Sequence, residues 1–145
     1  EQQAVLDLGV EQVLSPALSA VSQAFVLSMV EKGIPIEAIV TELVLSGEVE
    51  RTYRLMREVG YAVQSEFHSP TSQYGQLTRR GSYDHLDFLP KMRELADDIE
   101  SGRFADEWDA ERDAGYPRLT ELKERHAGPA VREADAELRQ LPDTD

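Results

Sequence analysis

The amino-acid sequence predicts an all-α protein, and two observations carry the prediction. Apolar residues recur at three- and four-residue spacing in almost every segment. No four-residue alternation of apolar and polar residues reads as a strand.

The first long helix is expected over about Val10 to Lys32, with Leu14, Leu18, Val21, Phe25, Met29 and Val30 at helical spacing. Pro16 falls where a first turn or a kink accepts it, and Gly33 ends the helix. Pro35 opens a second helix that continues to about Val59 and stops at Gly60. Ile36, Ile39, Val40, Leu43 and Val44 give it a wide apolar face and a central place. Gly47 in its interior costs about 1 kcal/mol relative to Ala. Close helix packing and a backbone adjustment beside the neighbouring carboxylates explain that glycine equally well.

Tyr61 to His68 reads as a connector. Ser69-Pro70 then gives an N-cap followed by proline at the first helical position, opening a short helix through about Arg79. Residues 79–82 form a turn. Further helices are expected over about Phe88 to Glu100, with Pro90 in the first turn, and over Phe104 to Ala114, Leu119 to His126 and Val131 to Leu141. Gly102 and Gly115-Tyr116-Pro117 separate them, and Pro142 to Asp145 read as a frayed tail. Without a repeat, a low-complexity tract or a linker, residues 1–145 are expected to form one domain.

Composition narrows the function. The chain has 145 residues and a net charge of −13, which argues against non-specific binding to nucleic acid or anionic membranes. It contains no cysteine, so disulfides, thiolate metal sites and a cysteine nucleophile are excluded, and a reducing, cytoplasmic setting is expected. No apolar run is expected to approach the roughly 20 residues that span a bilayer, and no signal peptide is visible. The sequence opens on Glu1 rather than Met, which raises the expectation of a piece excised from a longer protein. No G-x-G-x-x-G and no G-x-x-x-x-G-K occurs, so no nucleotide-binding domain is expected within this chain.

Several residues carry chemistry. Asp7 and Glu11 stand four apart, about 40° around a regular helix, and such a pair can take one or two divalent cations through oxygen. As a bare pair, the favourable interaction of acidic residues with a helix start is the commoner explanation. Glu42, Glu48 and Glu50 form a second acidic group. Glu42 and Glu48 lie about 120° apart in a regular helix and cannot share one ion without a distortion; solvated surface glutamates are the simpler account. Ser69 is a helix cap whose hydroxyl and neighbouring amides suit an anionic or ketol oxygen. His68 is a possible acid–base group, although a lone histidine beside a cap is more often incidental. His85 and His126 have no partners at metal-ligand spacing. Asp106, Glu107 and Glu111 read as surface and Trp108 as core.

The pieces together resemble the C-terminal, all-helical knotted domain of ketol-acid reductoisomerase, the acetohydroxyacid isomeroreductase of branched-chain amino-acid biosynthesis. The likeness covers nearly the whole chain. It is carried by Asp7-x-x-x-Glu11-Gln12, by the acidic helix ending at Glu48, by 69–75 (Ser-Pro-Thr-Ser-Gln-Tyr-Gly), and by 98–108 (Asp-Ile-Glu-Ser-Gly-Arg-Phe-Ala-x-Glu-Trp). The last two segments are specific in combination.

The resemblance implies a knotted helical fold of the 6-phosphogluconate dehydrogenase C-terminal type, forming an intertwined homodimer. It implies that Asp7 and Glu11 hold one or two magnesium ions, that two glutamates of the next long helix complete the site from the partner subunit, and that Ser69 binds substrate. In the family those two glutamates stand four apart. Counting back from Ser69 puts the second at Glu48 and leaves Val44 as its partner position. Counting forward from Gly33 puts the first at Glu42 and leaves Ser46. The segment thus holds about two extra residues; Glu48 is the preferred ligand and catalytic residue, Glu42 the second. This departure bears on substrate choice and metal stoichiometry.

The implied reaction is an alkyl migration within a 2-acetohydroxy acid over two Mg2+ ions, followed by hydride transfer from NADPH. The hydride donor belongs on an N-terminal Rossmann domain, which this chain does not contain, so the chain alone is expected to be inactive. The rival expectation is a non-catalytic helical oligomerisation or scaffold domain, and a third is an isomeroreductase for a different hydroxy-keto acid.

Overall fold

The computed structural model describes residues 2–126, and the helix expected over Val131 to Leu141, with the tail after it, lies outside them. The described residues form nine α-helices in order: α1 (Gln2–Gly9), α2 (Ser15–Glu31), α3 (Ile36–Val40), α4 (Glu48–Val59), α5 (Tyr61–Gln64), α6 (Pro70–Arg79), α7 (Leu89–Glu100), α8 (Arg103–Asp113) and α9 (Pro117–His126). Among them there is no strand, as the sequence predicted. Two π turns (Val10–Leu14 and Thr41–Leu45) and two 3₁₀ turns (Ser65–Phe67 and Arg80–Tyr83) complete the helical path.

Two of the expected helices differ in form. The first begins at Gln2, not Val10, and runs as one helix of 30 residues to Glu31, with the Val10–Leu14 π turn inside it. Pro16 explains the interruption. It has no N–H to give to the carbonyl four residues back, and its ring crowds that carbonyl. The widened turn just before it lets the Ser15 N–H reach Val10 O instead. By length and composition alone this helix is long and apolar enough to cross a membrane, contrary to the expectation that no apolar run approaches that length, because no charged residue interrupts it between Glu11 and Glu31.

The second helix, expected unbroken from Pro35 to Val59, is divided. After α3 and the Thr41–Leu45 π turn, Gly47 adopts a left-handed conformation at φ 70° and α4 starts anew at Glu48. A Cβ placed on Gly47 would meet nothing within 4 Å. The glycine is there for its backbone, not for close packing. Tyr61 to Phe67, expected as a connector, is one short helix followed by a 3₁₀ turn. The boundaries of α6, α7 and α8 agree with the sequence reading to within a residue or so.

The chain divides into two compact units, Glu1–Phe25 with Leu89–Asp145, and Val26–Phe88. In the first unit α1 and the π turn after it pack on α7, and α7 packs on α8. Arg103 forms an ion pair with Asp98 across the left-handed Gly102. At the α8–α9 corner the Trp108 and Tyr116 rings lie 5.5 Å apart, and Glu111 Oε1 accepts the Leu119 N–H at 2.8 Å. Trp108 is therefore a half-exposed partner of Tyr116 and not a core residue, and Glu111 is a helix cap and not a surface charge. In the second unit α4 and α5 pack together, and Ile39 and Leu55 are the buried apolar side chains.

That core is small. Leu14, Leu18, Val21, Phe25 and Val30 share the apolar spacing of the first helix, yet they remain 42% to 55% exposed. Leu6, Leu27, Val44, Val49 and Tyr53 are exposed too.

Gly47→Ala is expected to lower stability to urea by about 1–2 kcal/mol, because only glycine takes the left-handed region without a steric cost. Gly47→Asn should lose less, since asparagine tolerates that region. Equal losses in the two variants would assign the glycine another role.

Candidate functional site

Both acidic groups sit on helices that have been locally unwound. Asp7 lies in α1, while Glu11 lies in the Val10–Leu14 π turn. Glu42 lies in the Thr41–Leu45 π turn, and Glu48 is the first residue of α4. A π turn closes i→i+5 hydrogen bonds, so angles computed for a regular helix do not carry across it.

A serine closes each turn. The Ser15 hydroxyl donates to Val10 O at 2.9 Å, beside the Ser15 N–H that reaches the same carbonyl. The Ser46 N–H donates to Thr41 O at 2.8 Å, and the Ser46 hydroxyl donates to Glu42 O at 2.5 Å. The same hydroxyl accepts the Glu48 N–H at 3.2 Å. Short hydroxyl side chains compete well for backbone groups next to them, which is why serine suits these positions. Sequence reasoning treated Ser46 as the residue left at a family glutamate position and not as a hydrogen-bonding group. The available signal was a Ser-Gly pair inside an otherwise helical pattern.

All four carboxylate residues, Asp7, Glu11, Glu42 and Glu48, are exposed, and so is Glu50. None of the four forms an ion pair with Lys, Arg or His among the described residues. The donor set is wholly carboxylate oxygen, which fits a hard cation such as magnesium and does not fit a soft metal. Among the described residues no three His, Asp or Glu side chains come together to hold a metal ion. Asp7 and Glu11 belong to the first unit; Glu42, Glu48 and Ser69 belong to the second.

Ser69 caps α6 as expected. Its extended backbone (φ −62°, ψ 154°) directs the hydroxyl to accept the Ser72 N–H at 3.3 Å, with Pro70 at the first helical position. Gln73, not foreseen, braces this start by donating from Nε2 to His68 O at 2.7 Å. His68 is half-buried, whereas His85 and His126 are exposed.

Comparison with known proteins places these features in a family. The model of the family described as "Ketol-acid reductoisomerase, C-terminal domain" matches residues 1–143. The chain belongs to that family. A protein named putative ketol-acid reductoisomerase 3, from Saccharolobus solfataricus, is 36% identical over 97% of this chain and 42% of its own length. The ketol-acid reductoisomerase (NADP(+)) of Methanocaldococcus jannaschii is 30% identical over 92% of this chain and 40% of its own. Among solved structures, an NADH-preferring ketol-acid reductoisomerase from an uncultured archean superposes with a TM-score of 0.79 at 30% identity, covering 97% of this chain and 42% of that one. The chain thus spans about two fifths of the length of these relatives.

Ser69→Ala is expected to lower stability by about 1 kcal/mol in urea or thermal melts, and Ser69→Asp to restore it, as for any N-cap. A neutral alanine variant would remove the capping role.

Proposed function

We propose that this chain is the C-terminal domain, residues 1–145, of a ketol-acid reductoisomerase, working with an N-terminal Rossmann domain that carries NADPH. The observation that carries the reading is the family match over residues 1–143 in a chain that retains Asp7-x-x-x-Glu11, the acidic segment up to Glu48, and the Ser69 helix start. The substrate would be a 2-acetohydroxy acid, and the pathway branched-chain amino-acid biosynthesis in the cytoplasm.

In this reading Asp7 and Glu11 of one subunit, with Glu48 and secondarily Glu42 of the other, would hold two magnesium ions, and Ser69 would bind the substrate. Bound magnesium would supply Lewis-acid stabilisation of the two substrate oxygens as the alkyl group moves. Glu48, at the first position of α4, would serve as a ligand and catalytic group. Ser69 offers a hydroxyl at a helix start, where the open amides favour an anionic substrate oxygen. Among the described residues no Lys, Arg or His pairs with these four carboxylates, which supports their availability to a cation.

An intertwined, knotted homodimer fits the same reading. Helix faces as apolar as that of α2 are stable in water only when something covers them, and a second copy is the covering the family supplies. A membrane is the other environment that suits the 30-residue helix by composition. The many serines and the small residues along it favour the helix-packing account.

Magnesium titration of the purified protein by calorimetry tests the site. Asp7→Asn combined with Glu48→Gln is expected to abolish the binding heat, and unchanged heats would remove the site assignment. Sedimentation equilibrium without detergent is expected to give a dimer or a multiple of it; a stable monomer would contradict the intertwined assembly. A non-catalytic scaffold would pass the second test and fail the first.

A further inference from the structure

Glu42 and Glu48, the two candidate ligands of this segment, stand six residues apart where the resemblance implies four, and on a regular helix they face about 120° apart. The helix between them is not regular. From Glu42 the backbone passes through the π turn, then Ser46, then the left-handed Gly47 at φ 70°, and reaches Glu48 as the first residue of a new helix. The regular-helix argument against their acting together therefore does not apply.

The Ser46 hydroxyl spans this break. It donates to the carbonyl of Glu42 and accepts the N–H of Glu48, at 2.5 Å and 3.2 Å. A hydroxyl has one hydrogen to give and two lone pairs, so both bonds are made at once by a single oxygen. No other side chain bonds to the backbone of both glutamates among the described residues, and the segment is largely exposed, so packing does little to hold it. The left-handed glycine supplies the turn, and the serine fixes its setting.

We propose that Ser46 is a positioning residue that sets the relative presentation of Glu42 and Glu48 to a divalent, oxygen-preferring cation, so that the pair acts as one ligand element despite the longer spacing. This rests on the metal-site reading given above. It differs from ordinary capping in one respect: both far ends of the hydrogen bonds are the backbones of candidate ligands. A cap alone would affect only the stability of α4, whereas a positioning group affects cation affinity as well.

The test uses magnesium chloride alone as the probe, in calorimetric titrations of the purified protein run beside thermal melts. Ser46→Ala is expected to weaken magnesium binding about tenfold or more, the usual range for groups that orient metal ligands, while its melting curve shifts by about as much as that of Ser69→Ala, whose magnesium heats stay intact. Ser46→Thr, which keeps the hydroxyl, should regain most of the affinity. Ser46→Cys, of similar size but a weak donor, should resemble alanine, and it reads the same loss if the alanine variant does not fold. In the background of Glu42→Gln, removing Ser46 should cost less than it does alone, because part of what it positions is gone.

If Ser46→Ala and Ser46→Cys leave the magnesium heats intact while Asp7→Asn with Glu48→Gln abolishes them, Ser46 is only a helix cap. If the latter pair also leaves the heats intact, the metal reading itself falls, and the role of Ser46 with it.

Discussion

Among the described residues few apolar side chains are sheltered from water, and much else in the structure follows from that constraint. Only Ile39 and Leu55 are buried apolar side chains among the described residues, while the first helix leaves leucines, valines and Phe25 in contact with solvent. Burying one such side chain is worth about 1.5–3 kcal/mol. Leaving a row of them exposed forgoes most of what normally offsets the entropy of ordering a chain. The helices are therefore built as surfaces to be covered, and their internal irregularities are fixed by local hydrogen bonds more than by packing.

Much of the architecture was legible in the sequence because helix punctuation is local chemistry. Ser69-Pro70 reads as a helix start from the hydroxyl and the missing N–H alone, and the structure has both the cap bond and the proline in place. Gly60 and Gly102 stop or separate helices through positive φ values, as a residue without Cβ can. Family membership was legible as well, from segments whose combination is specific even where each motif alone is not.

What was not legible depends on context beyond a few residues. The periodic spacing of Leu14, Leu18, Val21 and Phe25 shows that a face is apolar, but not whether the same chain covers it. Trp108 was read as core because tryptophan usually is; here it stands at a corner against Tyr116. Glu111 was read as a surface charge because its bonding partner, Leu119 N, lies beyond a turn. The placement of the acidic residues is the most instructive case. Periodicity arguments assume 100° per residue, and Glu11 and Glu42 both occupy turns where that value fails. Spacing alone could neither unite nor separate Glu42 and Glu48.

The divided helix between Pro35 and Gly60 also bears on how this chain tolerates a change of length. A wide turn takes up an added residue as a local bulge, and a left-handed glycine resets the direction of whatever follows. Together they confine an insertion to one short stretch, so the downstream face carrying Leu55 need not rotate out of phase with its neighbours. A change of length at this point would alter where α4 begins while the scaffold on either side keeps its register.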